Sequence, residues 1–162
     1  MPKEEQLPEI TEFYERLMSV LTLDAVKNGK WSFLHPRQSW QGNESYWQVL
    51  TQAYDTEQEH LRVFVNWADY RSQCWVDLAF GTLQGKEVIL RDKLSDKVYI
   101  RDGVELMMRG IYLDLEPWEV HAFECEIRDA SAVTDESHEE GRNMMIPDPL
   151  GWTSPKPGEQ ND

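Results

Sequence analysis

The N-terminal part of the chain has the hydrophobic spacing of an amphipathic helix. Between residues 8 and 22, apolar side chains recur every three or four positions, which places them on one helical face. The residues on that face are Ile10, Phe13, Leu17, Val20 and Leu21. A second short helical turn is predicted over residues 23–27. Asn28-Gly29 would end it, because glycine commonly follows the last turn of a helix.

From Gly29 onward the pattern changes to the two-residue alternation of β-strands. In the last predicted strand Phe123 and Cys125 point to one side, while Glu124 and Glu126 point to the other. The predicted strands cover residues 30–35, 46–54, 61–67, 73–78, 88–92, 97–101, 111–115 and 120–127. About eight short strands at this spacing, with few helices between them, predict an all-β antiparallel β-sandwich of Greek-key type.

The hydrophobic pattern ends after residue 127. Residues 128–162 are rich in proline, glycine and acidic side chains, a composition that predicts a disordered acidic C-terminal tail. The chain is therefore expected to consist of an N-terminal helical segment (residues 1–29), a β-sandwich domain (30–127) and the tail (128–162). A single domain of this size is long enough to bury a core.

The chain is strongly acidic, with 30 acidic residues against 16 basic residues and a formal net charge of -14. An acidic surface repels phosphate backbones and anionic lipid, so we expect neither nucleic acid nor membrane partners. The first residues lack the apolar core of a signal peptide, which predicts a cytoplasmic protein. Cys74 and Cys125 lie in apolar strands and are predicted to be buried free thiols rather than zinc ligands or a disulfide.

The sequence shows no residue pattern typical of a catalytic, metal or cofactor site. Glycoside hydrolysis, for example, needs two carboxyl groups at a fixed separation in a shaped pocket. Asp69 and Asp102 are the most noticeable acids, but each lies where a turn favours aspartate. The glycines in residues 81–85 lack the lysine that follows in phosphate-binding loops. The sequence thus predicts a non-catalytic chain with no cofactor.

Aromatic residues are the remaining candidates for chemistry, since the chain holds seven tryptophans. Exposed aromatic rings can stack on the apolar faces of sugars. Trp40, Trp67 and Tyr70 lie at predicted loops and are the candidate sugar-binding residues. The rings expected to pack in the core are Trp47, Trp75 and Trp118.

Four segments occur in the order and at the spacing of a known domain. They are VFVNWAD at residues 63–69, LRDKLSD at 90–96, VYIRDG at 98–103 and GIYLDLEPW at 110–118. Together they resemble the C-terminal domain of glycoside hydrolase family 13, the α-amylase family, over about residues 30–127. Residues 13–18 and 25–29 are similar to the last helix of that family's catalytic barrel and to its exit into the C-terminal domain.

The resemblance implies an accessory domain that packs on and stabilises a catalytic (β/α)8 barrel. The family's catalytic carboxylates lie on that barrel, so the resemblance assigns no catalytic residue to this chain. The helix stripe, formed by Ile10, Phe13, Leu17 and Leu21, would face the barrel in its presence and would otherwise cover the sandwich or stay exposed. Two alternatives remain open, namely a module that binds α-glucans and an acidic interaction domain for a basic partner.

Overall fold

A computed structural model describes residues 8–130 and confirms the antiparallel β-sandwich. The strands are β1 (Lys30–Phe33), β2 (Pro36–Arg37), β3 (Val49–Asp55), β4 (His60–Asn66), β5 (Ser72–Val76), β6 (Lys86–Asp92), β7 (Val98–Asp102), β8 (Ile111–Leu115) and β9 (Val120–Asp129). The α-helices are α1 (Pro8–Leu21), α2 (Asp24–Asn28) and α3 (Gly103–Arg109). The tail predicted for residues 128–162 lies outside the described residues except for its first three positions, two of which extend β9.

The strands form a six-stranded sheet in the order β1-β3-β4-β9-β6-β7 and a three-stranded sheet in the order β2-β5-β8. Every neighbouring pair is antiparallel, as in the hairpins β3–β4 and β6–β7. The last strand, β9, lies between these two hairpins and pairs with β4 on one side and β6 on the other. The chain therefore completes its larger sheet only when β9 is in place.

All eight predicted strands are present, and the structure adds three elements that the sequence pattern missed, which are a short strand, a third α-helix and a 3₁₀-helix. Strand β2 is only two residues long, which is too short to show an alternation. Helix α3 begins at Gly103, in the Asp102-Gly103 pair that the sequence indicated to be a turn. The Asp102 carboxylate instead accepts a hydrogen bond from the Glu105 amide at 2.9 Å and so caps the first turn of α3.

One predicted strand begins three residues later than expected. Residues 45–48 form a 3₁₀-helix, so the strand predicted from residue 46 starts at Val49. Asn43 stabilises this helical turn, because its side-chain oxygen accepts a hydrogen bond from the Tyr46 amide at 3.2 Å.

The core lies between the two sheets. Phe64 and Leu90 from the larger sheet pack against Val76 and Leu113 from the smaller sheet, and all four side chains are buried. Both cysteines belong to this core and are free, as predicted. Burial raises the pKa of the Cys74 thiol and of the Cys125 thiol to about 12, so both stay protonated and unreactive at neutral pH.

The outer face of the six-stranded sheet is covered only in part. Val20 of α1 and Ala25 of α2 pack on Leu61 and Ala122 and form a second, smaller cluster of buried residues. The Ala25 amide also donates a hydrogen bond to Glu59, which fixes α2 to the sheet. No helix within residues 8–130 has the length and apolar character needed to cross a membrane.

Candidate functional site

The helix stripe is largely uncovered. Ile10 is 51% exposed, Phe13 42% and Leu21 48%, while Leu17 is half-buried. Tyr14 and Met18, which lie beside the stripe, are also exposed. Without a barrel, the helix stripe was expected either to cover the sandwich or to stay exposed. The structure shows the exposed arrangement.

Helix α1 is held to the domain by few contacts. Among the side chains of α1 that the structure describes, Val20 alone is buried, and it packs with α2 and the sheet. Arg16 forms an ion pair with Asp96 in the β6–β7 turn at 3.0 Å, and a second one with Glu12 at 3.0 Å. Only a narrow side of α1 therefore contacts the domain. Most of the apolar surface of α1 is exposed and could contact another molecule or domain.

A second apolar surface lies on the outer face of the six-stranded sheet. Trp31 and Phe33 on β1 point to that face, and their rings meet edge to face with centroids 4.6 Å apart. Both rings are exposed, as is Leu50 on the neighbouring strand β3. The antiparallel register pairs Trp31 with Tyr54, which belongs to the covered part of the same face. The exposed strip therefore continues the apolar surface on which the helices pack.

The candidate sugar-binding residues Trp40, Trp67 and Tyr70 are all exposed, and no ring contact joins any two of the three. The ring of Trp67 contacts Trp118, with centroids 5.9 Å apart and an angle of 81° between the ring planes. Trp67 is 66% exposed and Trp118 is 57% exposed. We call this pair the ring corner.

The expectation that Trp47, Trp75 and Trp118 pack in the core is wrong for all three. Trp47 is 70% exposed in the 3₁₀-helix, where its ring lies beside that of Tyr46, and Trp118 is exposed in the β8–β9 turn. Only Trp75 of the three is half-buried, against Tyr112 on the outer face of the smaller sheet. One feature of the sequence indicated that Trp118 is exposed in a turn. Trp118 directly follows Glu116-Pro117, a typical turn pair.

Asn66 holds together the two loops that carry the ring corner. This residue is fully buried, and its Nδ2 lies 2.8 Å from the Tyr70 carbonyl and 2.9 Å from the Glu116 carbonyl. Its Oδ1 accepts a hydrogen bond from the Ala68 amide at 3.2 Å. The Trp118 amide in turn donates to the Ala68 carbonyl at 3.2 Å. The β4–β5 loop and the β8–β9 turn are therefore fixed relative to each other.

Asp92 is the centre of a buried polar network at the end of β6. Its carboxylate accepts hydrogen bonds from Ser95 Oγ at 2.7 Å and from the Ala122 amide at 3.1 Å, and lies 2.8 Å from His121 Nδ1. Burial by itself would raise the pKa of the Asp92 carboxyl, but the hydrogen bonds from His121, Ser95 and Ala122 together hold that pKa below its ordinary value. His121 Nε2 lies 3.3 Å from Glu119, so the imidazole links two carboxylates. The network ties β6 to β9.

A second polar network lies on the other side of β9, on strands β3 and β4. Asp55 Oδ1 lies 2.7 Å from His60 Nδ1 and 2.8 Å from Arg62 Nη1. Arg62 is fully buried, donates from Nε to the Leu78 carbonyl at 2.8 Å, and places its guanidinium over the Phe80 ring at 4.3 Å. These contacts orient a buried cation within the core.

An open cavity of about 400 Å³ lies beside His60 and Arg91. The carboxylates that line it are Glu57, Glu59, Glu124 and Glu126. Within residues 8–130, no three His, Cys, Asp or Glu side chains are placed so that they could hold a metal ion together.

No protein-family model matches the chain, and a search of curated proteins gives no significant match. The function has to be inferred from the fold and from the exposed surfaces. Those surfaces are the helix stripe, the strip at Trp31 and Phe33, and the ring corner.

Proposed function

We propose that this chain is a non-catalytic accessory domain that packs on a catalytic (β/α)8 barrel of the α-amylase family and stabilises it. Two observations support the resemblance to that family's C-terminal domain. One is the β-sandwich, and the other is the order and spacing of the four sequence segments between residues 63 and 118. In this proposal α1 occupies the place of the last barrel helix, and the sandwich follows it.

The observation that carries the proposal is the exposed helix stripe. A helix that is amphipathic in sequence normally buries its apolar side, whereas α1 leaves Ile10, Phe13 and Leu21 in contact with solvent. Exposed apolar surface of this extent, on a chain with a net charge of -14, is typical of a surface that a partner covers. The strip at Trp31 and Phe33 adds a second exposed surface that the same barrel would cover.

The proposal is tested with the α-amylase-family barrels encoded in the same genome, each expressed without its own C-terminal domain. The chain is expected to form a complex with one of them and to raise its melting temperature, because a ligand that binds only the folded state stabilises it. The double variant Phe13→Glu/Leu21→Glu should lose this effect, since it places two charges in the apolar contact.

The matched control is Thr82→Glu/Gln84→Glu, which adds the same two charges on an exposed loop and should bind like the unchanged chain. If none of the barrels binds, or if the helix double variant binds as well as the unchanged chain, the proposed docking is rejected.

A further inference from the structure

The ring corner offers two accessible tryptophan rings at nearly a right angle. The Trp67 and Trp118 ring planes stand at 81° to each other, with centroids 5.9 Å apart, and both side chains are more than half exposed. A group that enters between the rings can lie within about 6 Å of both centroids, which is the range of a cation–π contact. We infer that the ring corner binds a quaternary ammonium group, such as the trimethylammonium head of choline or of a trimethylated lysine side chain.

The charge in the two loops favours a cation. Asp69 and Glu116 each lie two residues from a tryptophan of the ring corner, and both side chains are exposed. Arg71, the basic residue of the β4–β5 loop, donates two hydrogen bonds to Asp114 and lies 3.8 Å from Glu116, so its own charge is already balanced. On a chain with a net charge of -14, this surface attracts cations and repels phosphate groups.

The chain's own cations lie over other rings. The Arg62 guanidinium lies over the Phe80 ring at 4.3 Å, and the Arg101 guanidinium lies 5.5 Å from the centroid of the Tyr99 ring. Among residues 8–130, no lysine or arginine lies over either ring of the ring corner. The two indoles, which bind cations better than phenol or phenyl rings do, are therefore available to a cation from outside the chain.

The ring corner suits a quaternary ammonium better than a metal ion or a primary ammonium. A primary ammonium is strongly hydrated and needs hydrogen-bond acceptors, whereas a trimethylammonium group has no N–H and presents only methyl groups. Ring faces satisfy such a group without replacing any hydrogen bond to water. Within the part of the chain that the structure describes, no three His, Cys, Asp or Glu side chains could hold a metal ion together.

The backbone at Trp118 gives independent support. Trp118 has φ 62°, in the left-handed region where a bulky residue is strained and glycine is favoured. The chain uses glycine at other positions of this kind, among them Gly42 and Gly85. Strained residues cluster where a ligand or a reaction requires them. In the β8–β9 turn the strain has one visible consequence, which is the placement of the Trp118 ring against Trp67.

The corner is also fixed before any ligand arrives. The Trp67 amide donates a hydrogen bond to the Gln48 carbonyl at 2.8 Å, and the Trp118 amide donates to the Ala68 carbonyl at 3.2 Å. The buried Asn66 side chain joins the two loops that carry the rings. A ligand would therefore lose little affinity to the ordering of these loops.

The pair Trp31–Phe33 provides an internal comparison. Its rings also meet edge to face, at 67°, but their neighbour in the strand is the basic residue Lys30. This pair belongs to the surface assigned above to barrel docking, and no cation binding is expected there.

The test is a two-dimensional NMR titration of the full chain with choline chloride at constant ionic strength. The comparison compound is dimethylbutanol, which has the shape of choline but carries a neutral carbon in place of the nitrogen. We expect localised shifts of the Trp67 and Trp118 indole signals with choline at millimolar concentration, and binding of dimethylbutanol that is about fivefold weaker or more. An absence of shifts with choline, shifts centred on Trp31, or equal binding of the two compounds would overturn the inference.

Two further compounds distinguish the sources of the ligand. The amide of N-acetyl-trimethyllysine should bind as choline does, since it carries the same group, and the tighter binder of the two identifies the source. Phosphocholine should bind more weakly than choline, because Asp69 and Glu116 repel its phosphate. Tighter binding of phosphocholine than of choline would contradict the inference.

The variant Trp118→Gly separates binding from folding. It should abolish the choline shifts and at the same time raise the urea midpoint, because glycine relieves the strain at φ 62°. Trp67→Ala should also abolish the shifts, and Trp31→Ala should leave them unchanged. A Trp118→Gly chain that binds choline normally would disprove the site.

The double variant Asp69→Asn/Glu116→Gln separates charge from shape. It should weaken the binding of choline and leave that of dimethylbutanol unchanged, because only the cation responds to the two carboxylates. Equal effects on both compounds would show that the carboxylates act through the structure of the loops and not through their charge. These experiments use the chain alone, so their results are independent of the barrel-docking test.

Discussion

At the scale of single residues, the clearest dependence on pH comes from Asp92. Its pKa is lowered in the folded chain, so its contribution to stability is present above its unfolded pKa of about 3.9 and is lost as the pH falls through its lower folded pKa. Replacing Asp92→Asn should lower the free energy of unfolding at pH 7 by about 1–3 kcal/mol, because His121, Ser95 and Ala122 lose a charged acceptor. Urea unfolding across the pH range measures this difference.

The difference in the free energy of unfolding between the unchanged chain and Asp92→Asn should become smaller at acidic pH. There the Asp92 carboxyl is protonated in both the folded and the unfolded chain. Asp69→Asn is the matched control, since it removes an exposed carboxyl and should change stability by no more than about 0.5 kcal/mol. A difference for Asp92→Asn that stayed constant down to the acid limit would show that the carboxylate charge is not what stabilises the network.

At the scale of secondary-structure elements, Gly110 sets how α3 ends and β8 begins. It has φ 78°, and an added Cβ would collide with the Val76 carbonyl at the end of β5. Gly110→Ala should therefore destabilise the chain by about 3 kcal/mol or more, through backbone strain and overpacking together. Thermal unfolding followed by circular dichroism measures the loss.

Gly85→Ala distinguishes the two causes. Gly85 has φ 70°, but no atom lies within 4 Å of an added Cβ, so only the backbone strain remains. Gly85→Ala should therefore lower the free energy of unfolding by about 1–2 kcal/mol. Equal losses for the two variants would mean that the contact with Val76 contributes nothing.

At the scale of the whole molecule, the exposed helix stripe and the net charge of -14 act in opposite directions. The apolar side chains favour association of two copies, while the like charges oppose it. We expect weak self-association at high protein concentration, and stronger association when salt screens the repulsion. Sedimentation equilibrium at two salt concentrations measures both effects.

The double variant Phe13→Glu/Leu21→Glu should be monomeric under conditions in which the unchanged chain and Thr82→Glu/Gln84→Glu associate. If the unchanged chain stays strictly monomeric at high protein concentration and high salt, the helix stripe does not mediate self-association.

The sequence by itself determined the elements whose signal is local. The alternation in β9 and the helical spacing in α1 depend only on neighbours along the chain, so both elements were predicted close to their observed bounds. Helix α3 was missed, because the Asp102-Gly103 pair is equally typical of a turn and only the hydrogen bond to Glu105 distinguishes a helix cap. The exposure of Trp40, Trp67 and Tyr70 likewise followed from their positions at loops.

Only the tertiary structure decided which apolar residues are covered. The helical spacing groups Val20 with Leu21, yet Val20 is buried and Leu21 is exposed, because α2 and the sheet reach only one side of α1. Trp118 had the appearance of a core residue until the left-handed turn and the Asn66 hydrogen bonds placed its ring beside Trp67. Such placements depend on contacts between residues far apart in the chain, and the spacing of residues along the sequence carries no information about them.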